Sequence, residues 1–276
     1  MKSKPEQSNP ANSQKRIKQT LLFLGLTVVA WLVLAYQILP AYWQHYEYQQ
    51  GLVGQSMLTH TKQGIAGDPI NVGLIGSKRD VICAFNAAGW EPADPVTFRT
   101  SVKIIGSVVL NRPYKTAPVS PLLYNGKRED LAFQKQDGKS ANHRHHIRLW
   151  NVLNNGAEGR PVWLGGATYD KSVGLSHYTL QVTHHIAAAI DDERDFISTD
   201  LSEAGVVTDI YQISGIGPTL MGRNGNGDRY FTDGEVVFSA LAEDCQSQPG
   251  KQPTTKPAGA IIRLKDMFWK HLRLVL

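Results

Sequence analysis

The sequence predicts one α+β domain, built mostly of antiparallel sheet with a few packed helices and preceded by one transmembrane helix. Three observations predict this class. An uncharged apolar stretch of about 20 residues near the N-terminus is long enough to cross a membrane. Beyond it, many short apolar runs are separated by turn residues, which is typical of antiparallel strands. Only a few segments repeat apolar residues at the spacing of a helix.

The apolar stretch, residues 20–39, contains no charged side chain. Lys15, Arg16 and Lys18 precede it, whereas the first basic residue after it is Lys62. Because basic residues stay on the cytoplasmic side of a membrane, we expect a cytoplasmic N-terminus and the bulk of the chain outside the cytoplasm. A cleaved signal peptide is the alternative, although its apolar region is normally about 7 to 15 residues long.

Composition divides the rest of the chain. After residue 245 the sequence is rich in Gln, Pro, Lys, Thr and Gly, which is typical of a linker. The last residues repeat apolar side chains at helical spacing among basic ones. They predict an amphipathic helix that lies on lipid, packs on a partner or docks on its own domain. The assigned segments are a basic tail (1–19), a transmembrane helix (20–39), a juxtamembrane segment (40–67), the α+β domain (68–245), a linker (246–258) and the basic amphipathic helix (259–276).

Local patterns predict the elements of the domain in order. A strand over 70–75 leads to a helix that Ser77 caps and Gly89 ends. A second helix follows Pro95, and Asp191 is expected to cap a third. The remaining strands are predicted over 122–124, 130–135, 145–150, 162–169, 175–186, 206–213 and 235–241.

The net charge of +5 lies at the two ends of the chain. Residues 1–19 carry five basic residues and one acidic residue, and residues 246–276 carry six basic residues and one acidic residue. The stretch between them therefore has a net charge of −4. Since nucleic-acid-binding domains collect Lys and Arg on their folded part, this distribution argues against a nucleic-acid partner. Basic ends beside apolar segments favour anionic membrane lipid.

The chain has two cysteines, Cys83 and Cys245. Outside the cytoplasm they could form a disulfide that ties the first helix of the domain to its end. Two unpaired buried thiols are the alternative. No spacing argument decides between them.

Several segments of the domain carry a resemblance to a known family. They are TAPVSPLLYNGKREDLAFQK (116–135), RHHIRLW (144–150), GRPVWLGGATYDKSVGLSH (159–177), QVTHHI (181–186), DDERDF (191–196) and GIGPTLMGRNGNGDRYFTDGE (215–235). Through them, the part from Asp68 to Glu243 resembles the family named for the C-terminal domain of LssY, a membrane protein first linked to type I secretion.

In that family the domain often sits beside DedA-like or phosphatidic-acid-phosphatase-like membrane domains, and here a single anchor helix stands in their place. The resemblance implies an envelope setting with lipid or phosphate chemistry nearby, and it supplies no catalytic residue. We therefore expect a single pass through a bacterial inner membrane, with the N-terminus in the cytoplasm and the main domain in the periplasm.

Histidines are concentrated in two of the predicted strands. On the first, strand alternation puts His146 and Arg148 on one face and His145 on the other. On the second, alternation puts His177 and His185 on a polar face. The residues expected to face the core from that strand are Tyr178, Leu180, Val182, His184 and Ile186.

Imidazoles that converge beside a carboxylate suit zinc binding or acid–base catalysis. The catalytic candidates are therefore His146, His177, His185 and Asp191, and the same three histidines are the metal candidates. A polar sheet face of hydrogen-bonded histidines is one alternative. An anion site built on Arg148 is another.

A glycine-rich loop carries the remaining candidates. The spacing of oxygen side chains from Asn224 to Glu235 resembles a calcium-binding loop, but Arg229 stands where that loop needs glycine. The glycines also allow backbone N–H groups to surround an anion, to which Arg223 adds charge. A plain connection between strands is the alternative. The binding candidates kept from this loop are Arg223, Asn224 and Asp228, beside Arg148 on its strand.

Two functions remain open at this point. The first is binding, in which a membrane-tethered envelope domain takes a phosphate-bearing lipid or a partner membrane protein. The second is hydrolysis of a lipid or phosphoester, either metal-assisted or dependent on the histidines. The sequence identifies no cofactor. The two hypotheses differ in whether the histidines converge.

Overall fold

The computed structural model describes residues 10–38, 51–52, 55–93, 121–138, 142–213 and 221–272. The chain divides into two units, Met1–Glu47 and Tyr48–Leu276. The helix predicted after Pro95 lies outside the described residues.

The first unit contains helix α1, Pro10–Val33, which continues as a π-helical turn over Leu34–Ile38. Within the 25 residues from Gln14 to Ile38, a window of 18 residues has a mean hydropathy of 2.2, and none of that window is buried. Among the described residues this is one helix long and apolar enough to cross a membrane. It is compatible with a single-pass anchor, and a signal sequence near the N-terminus can meet the same criteria of length and hydropathy.

The second unit is an α+β fold with one large sheet. Its helices are α2 (Lys78–Ala87), α3 (Ile190–Glu203) and α4 (Ala260–Leu272). Its strands are β1 (Leu58–His60), β2 (Ala66–Pro69), β3 (Val72–Ile75), β4 (Glu91–Pro92), β5 (Leu123–Tyr124), β6 (Lys127–Arg128), β7 (Leu131–Gln136), β8 (Arg144–Leu153), β9 (Val162–Leu175), β10 (Val182–Ile186), β11 (Val207–Ile213), β12 (Met221–Arg223), β13 (Arg229–Phe231), β14 (Val236–Leu241) and β15 (Thr254–Thr255).

The large sheet has the strand order β15-β11-β14-β3-β9-β8-β7-β4, and β10 pairs with the far end of β9. Neighbouring strands are antiparallel except for the β3–β14 and β11–β15 pairs. Strands β1, β2, β5 and β6 form a smaller sheet, and β12 and β13 form a hairpin. The expectation of an α+β fold with mostly antiparallel sheet is confirmed.

Apolar side chains cover both faces of the large sheet. On one face, α2 and α3 bury Phe85 and Leu201 against Ile147. On the other face, Leu52 and Met57 belong to the second core cluster. Because successive residues of a strand point to opposite faces, each central strand contributes to both clusters. The folded unit therefore includes residues of the segment 40–67 that precede Asp68.

The two predicted helix caps have different outcomes. Ser77 begins α2 as expected: its hydroxyl accepts the N–H of Asp80, whose carboxylate accepts the N–H of Ser77. The expectation that Asp191 caps α3 is wrong, because Ala189 is the cap residue and Asp191 lies in the first turn. Its carboxylate instead accepts hydrogen bonds from Thr232 and from the backbone of Asp233.

The strand predicted over 175–186 is also wrong as a single element. Strand β9 ends at Leu175, and a turn follows in which the Ser176 hydroxyl accepts two backbone N–H groups before β10 begins. Three of the apolar residues expected to face the core are instead exposed, Tyr178 by 50 %, Leu180 by 75 % and Val182 by 57 %, whereas Ile186 is buried as expected. Alternating apolar residues here mark a surface, which we call the hairpin tip (residues 175–182).

The described residues after β14 pack on the domain, as far as Leu272. Cys83 of α2 and Cys245 form a disulfide with their Cα atoms 5.4 Å apart. Strand β15 lies in the segment predicted as a linker and pairs with β11. Helix α4 then buries Ile262 and Trp269, while Lys265 forms an ion pair with Glu235. This part of α4 is a docking helix.

Candidate functional site

An open cleft of about 500 Å³ lies beside the large sheet. It is lined by residues of β8, β9 and β10, by the hairpin tip, and by the loop segments 61–65, 121–122 and 224–226. Strand β8 contributes most of its charge. Its alternation turns Arg144, His146 and Arg148 toward the cleft.

Arg144 and Asp170 form a buried ion pair at one end of this charged row. The Nε of Arg144 donates to a carboxylate oxygen of Asp170 at 2.7 Å. The Nδ1 atoms of His146 and His184 lie 3.2 and 3.9 Å from the same carboxylate, the first at an angle too poor for a hydrogen bond. Burial opposes ionisation of Asp170, but His146, His184 and Arg144 hold its pKa well below the usual range.

Arg148 is held in the same way at the other end. It donates to Asp68 at 2.8 Å, and the second carboxylate oxygen of Asp68 lies 3.4 Å from the amide nitrogen of Asn224. The Nε2 of His146 lies between the two ends, 3.2 Å from Arg148 and 3.0 Å from the hydroxyl of Thr168. These polar groups form one continuous network along the cleft.

The lining of the cleft is positively charged. Lys62, Arg144 and Arg148 contribute three positive charges, against two negative charges from Asp68 and Asp170. Histidines add further donors. Apolar side chains of Ile65, Leu122, Val182 and Ile186 line other parts of the cleft. The arrangement suits a ligand that has an anionic group and an apolar part.

A second group of polar side chains contains His177, His185 and Asp228. The Nδ1 of His185 lies 2.7 Å from the carboxylate of Asp228, and the Nε2 of His177 lies 3.6 Å from the same oxygen. The two imidazole rings are 5.3 Å apart. Since His184 lines the cleft, strand alternation puts its neighbour His185 on the opposite face of β10.

The structure therefore divides the histidine candidates. It brings His177 and His185 together, but with Asp228 as their acid. His146 belongs to the cleft network, where it contacts Asp170. Asp191 contacts Thr232, Asp233 and Arg194, and no histidine among the described residues. The four residues proposed for catalysis thus lie in three separate environments.

The binding candidates of the glycine-rich loop make contacts within the β12–β13 hairpin. The side chain of Asn224 accepts the N–H groups of Asn226 and Asp228, which closes the turn of the β12–β13 hairpin. Arg223 donates to the carbonyl of Gly227 at 2.6 Å. Glu235, which a calcium loop would need as a ligand, pairs with Lys265 on α4 instead. The loop is a strand connection whose Asn224 reaches the cleft.

Several residues of the cleft were not predicted from the sequence. Arg144 could have been found, because it is two residues before His146 and shares its strand face. Asp170 and Asp68 reach the cleft only through strand pairing and chain reversal, which no local pattern shows. Strand alternation predicts His184 in the core, because the apolar pattern does not show the turn before β10.

Comparison with known proteins gives one match. The family model described as the LssY C-terminus matches residues 46–236 of the chain. No curated protein and no solved structure matches it. The matched range contains the charged row of β8 and the group formed by His177, His185 and Asp228.

Proposed function

The chain belongs to the LssY C-terminus family, and from this premise we propose that it is a membrane-anchored domain whose cleft binds a phosphate-bearing lipid headgroup. We place the domain in the periplasm, with α1 crossing the inner membrane. The disulfide between Cys83 and Cys245 supports an oxidising compartment, since such bonds are rare in the cytosol. The basic residues before α1 support the same orientation.

The observation that carries the proposal is the pair of buried guanidinium groups at the cleft. The side chains of Arg144 and Arg148 are 2 % and 7 % exposed, yet both line an open space. Burying such a charge costs several kcal/mol unless it is well paired. Guanidinium groups bind phosphate through two parallel hydrogen bonds, and Asp170 and Asp68 hold these two in position for an incoming anion.

The hairpin tip favours a lipid over free phosphate. Leu175, Tyr178, Leu180 and Val182 expose apolar side chains, and Val182 also lines the cleft. Leu180 has a φ of +56°, a conformation that costs a non-glycine residue about 1 kcal/mol or more. A strained, exposed leucine beside an anion-binding cleft is explained if the tip enters the apolar layer while the cleft takes the headgroup.

Helix α4 offers a second contact with lipid. Its outer face exposes Leu264, Met267, Phe268 and Leu272, with the basic Lys270 nearby on the same helix. Lys265 is directed to the domain rather than to lipid. An apolar face with basic neighbours fits the anionic surface of a bilayer. A partner membrane protein is the alternative occupant, and it would contact this face without phosphate.

Hydrolysis receives less support from the geometry. It required His146, His177, His185 and an acid near Asp191 to act on one substrate. Only His177 and His185 lie together, and His146 and Asp191 lie in two other environments. Binding is therefore the function that the site supports best.

The test uses the full chain in a phosphate-free maltoside detergent. We expect short-chain phosphatidic acid to bind in calorimetric titrations, whereas diacylglycerol with the same chains does not bind. Arg148→Lys should weaken binding about tenfold or more, because it loses a charge-assisted hydrogen bond. The control is Arg128→Lys, an arginine with 57 % of its side chain exposed. Inorganic phosphate that binds as tightly as the lipid would identify phosphate itself as the ligand, and no binding of either would end the proposal.

The lipid arm is tested separately by depth measurements in liposomes. A spin label at Leu180→Cys should be accessible to oxygen and shielded from a water-soluble quencher. The matched control is Asn125→Cys, at the turn between β5 and β6, where we expect the reverse. A label at position 180 that lies in water would show that the tip does not enter the bilayer.

A further inference from the structure

We propose that His177, His185 and Asp228 bind a divalent transition-metal ion of the zinc class. This site is distinct from the cleft, because none of its three side chains is among the residues that line the cleft. Two neutral imidazoles and one carboxylate form a ligand set that suits zinc and similar ions. The proposal does not depend on which ligand the cleft takes.

The distances fit one ion held by all three side chains. One ligand atom from each residue lies within 4.8 Å of the others. Ligands at about 2.0–2.1 Å in a tetrahedron are about 3.3 Å from one another. The contacts of Asp228 with His185 and His177, at 2.7 and 3.6 Å, lie on either side of this value. The two contacts with Asp228 are therefore already close to the spacing that an ion requires, and the two histidine nitrogens lie within 4.8 Å of each other.

The site is held in place by its surroundings. The carboxylate of Asp228 is 9 % exposed, and its second oxygen accepts the backbone N–H of Ile186 at 3.2 Å. The backbone N–H of Asp228 donates to Asn224. These bonds fix the acid before any ion arrives, which lowers the cost of ordering the ligands.

Two glycines make room for the two imidazoles. A Cβ on Gly174 would lie 2.5 Å from the Nε2 of His185, so this ring rests directly on the backbone of β9. A Cβ on Gly227 would lie 2.8 Å from the Cβ of His177. With its Nε2 against Gly174, His185 presents Nδ1 to Asp228. The packing thus selects the nitrogen that faces the carboxylate.

Binding of the ion displaces a proton. The hydrogen bond between Nδ1 of His185 and Asp228 requires a proton on one of the two atoms, and a metal bound to both displaces that proton, either to Nε2 of the same imidazole or to solvent. The side chain of His177 is 61 % exposed, so the ion is reached from solvent and a water molecule completes the coordination. Ion binding would fix β10 to the β12–β13 turn and so hold the strand that carries His184.

The experiment uses the full chain in detergent, stripped with chelator and titrated with Zn²⁺ alone. We expect one tightly bound equivalent of zinc, and the visible absorption of tetrahedral Co²⁺ when that ion replaces zinc. His177→Ala is the decisive variant because its exposed side chain can be removed without unfolding the domain. The affinity of this variant for the ion should be lower by about 100-fold or more. Asp228→Asn should behave in the same way.

His60→Ala is the matched control, since His60 is an exposed histidine on β1 outside the group. It should retain one equivalent of zinc. Absence of stoichiometric binding in the unaltered chain would overturn the proposal, as would equal affinity in the His177→Ala variant. A melting curve of each variant in the chelated state separates lost ligands from lost fold.

Discussion

At the scale of single residues, the charges of the cleft depend on one another. Asp170 keeps Arg144 in place and is itself kept ionised by that arginine and two histidines. Removing one member of a buried ion pair leaves the other charge uncompensated. The cleft is therefore expected to lose stability and ligand together when its acids are altered.

The first prediction concerns Asp170→Asn. At pH 7 the free energy of unfolding should fall by about 3–5 kcal/mol, because Arg144 then remains buried without a countercharge. The pKa of Asp170 is lowered in the folded chain, so its contribution is complete above the unfolded value of about 3.9 and is lost as the pH falls below it. The difference in free energy of unfolding between the parent and Asp170→Asn, measured by urea unfolding, should therefore be constant from pH 7 to about 5. It should shrink toward pH 3. A difference that stays constant down to pH 3 would contradict this assignment.

At the scale of single residues, the sequence correctly predicts the strand face on which a side chain lies but does not predict which side chains it contacts. Alternation on β8 correctly separated His146 and Arg148 from His145, because strand alternation is a local property. The partners Asp68 and Asp170 come from other strands, and their approach depends on sheet register. Asp228 was predicted as a binding residue, but its contact with His185 spans 43 residues of sequence and has no local signal.

At the scale of elements, α4 is fastened to the domain by a titratable pair. Burial raises the pKa of Glu235 from 4.5 to about 7, and Asp233 and Asp266 add to the increase while Lys265 opposes it. One carboxylate oxygen accepts from Lys265, and the other has no hydrogen-bond partner among the described residues. The buried, half-satisfied carboxyl explains why burial outweighs the ion pair.

The second prediction follows from that raised pKa. An acid whose pKa is higher in the folded state contributes most below its unfolded value, and this contribution is lost as the pH rises through the folded value. For Glu235 the loss between pH 4.5 and about 7 should be about 3 kcal/mol. Glu235→Gln should remove it, so the difference in free energy of unfolding between variant and parent should change across this window. An unchanged difference from pH 4.5 to 8 would show that Glu235 does not titrate there.

Elements were predicted where local signals agree. The serine cap and the acidic third residue of α2 identify its start, and the glycine after it identifies its end. The hairpin tip was mistaken for strand because its apolar residues alternate as they do in a half-buried strand. The turn depends on Ser176 accepting backbone N–H groups and on a positive φ at Leu180, and neither is visible in the apolar pattern.

At the scale of the whole molecule, the disulfide links the compartment to stability. It joins residues separated by 162 positions, and closing so long a loop restricts the unfolded chain strongly. Replacing both cysteines with serine should lower the free energy of unfolding by about 2–5 kcal/mol, measured by urea unfolding with and without reductant.

Thiol labelling in intact cells tests the location. Neither Cys83 nor Cys245 should react until reductant is added, whereas Cys245 should react in the Cys83→Ser variant. Both thiols reacting in the untreated parent would place the domain in a reducing compartment.

The central claim is that a lipid phosphate group reaches the arginines of the cleft, and the distance between the two can be measured directly. The full chain, labelled with ¹³C at the arginine Cζ atoms, is reconstituted in liposomes that contain phosphatidic acid, and dipolar dephasing of the Cζ signal by ³¹P is recorded by solid-state NMR. We predict Cζ signals dephased at hydrogen-bond distance, one of which is absent in Arg148→Lys, where the labelled carbon is removed, and present in Arg128→Lys. Equal dephasing in both variants, or none in the parent, would contradict the account.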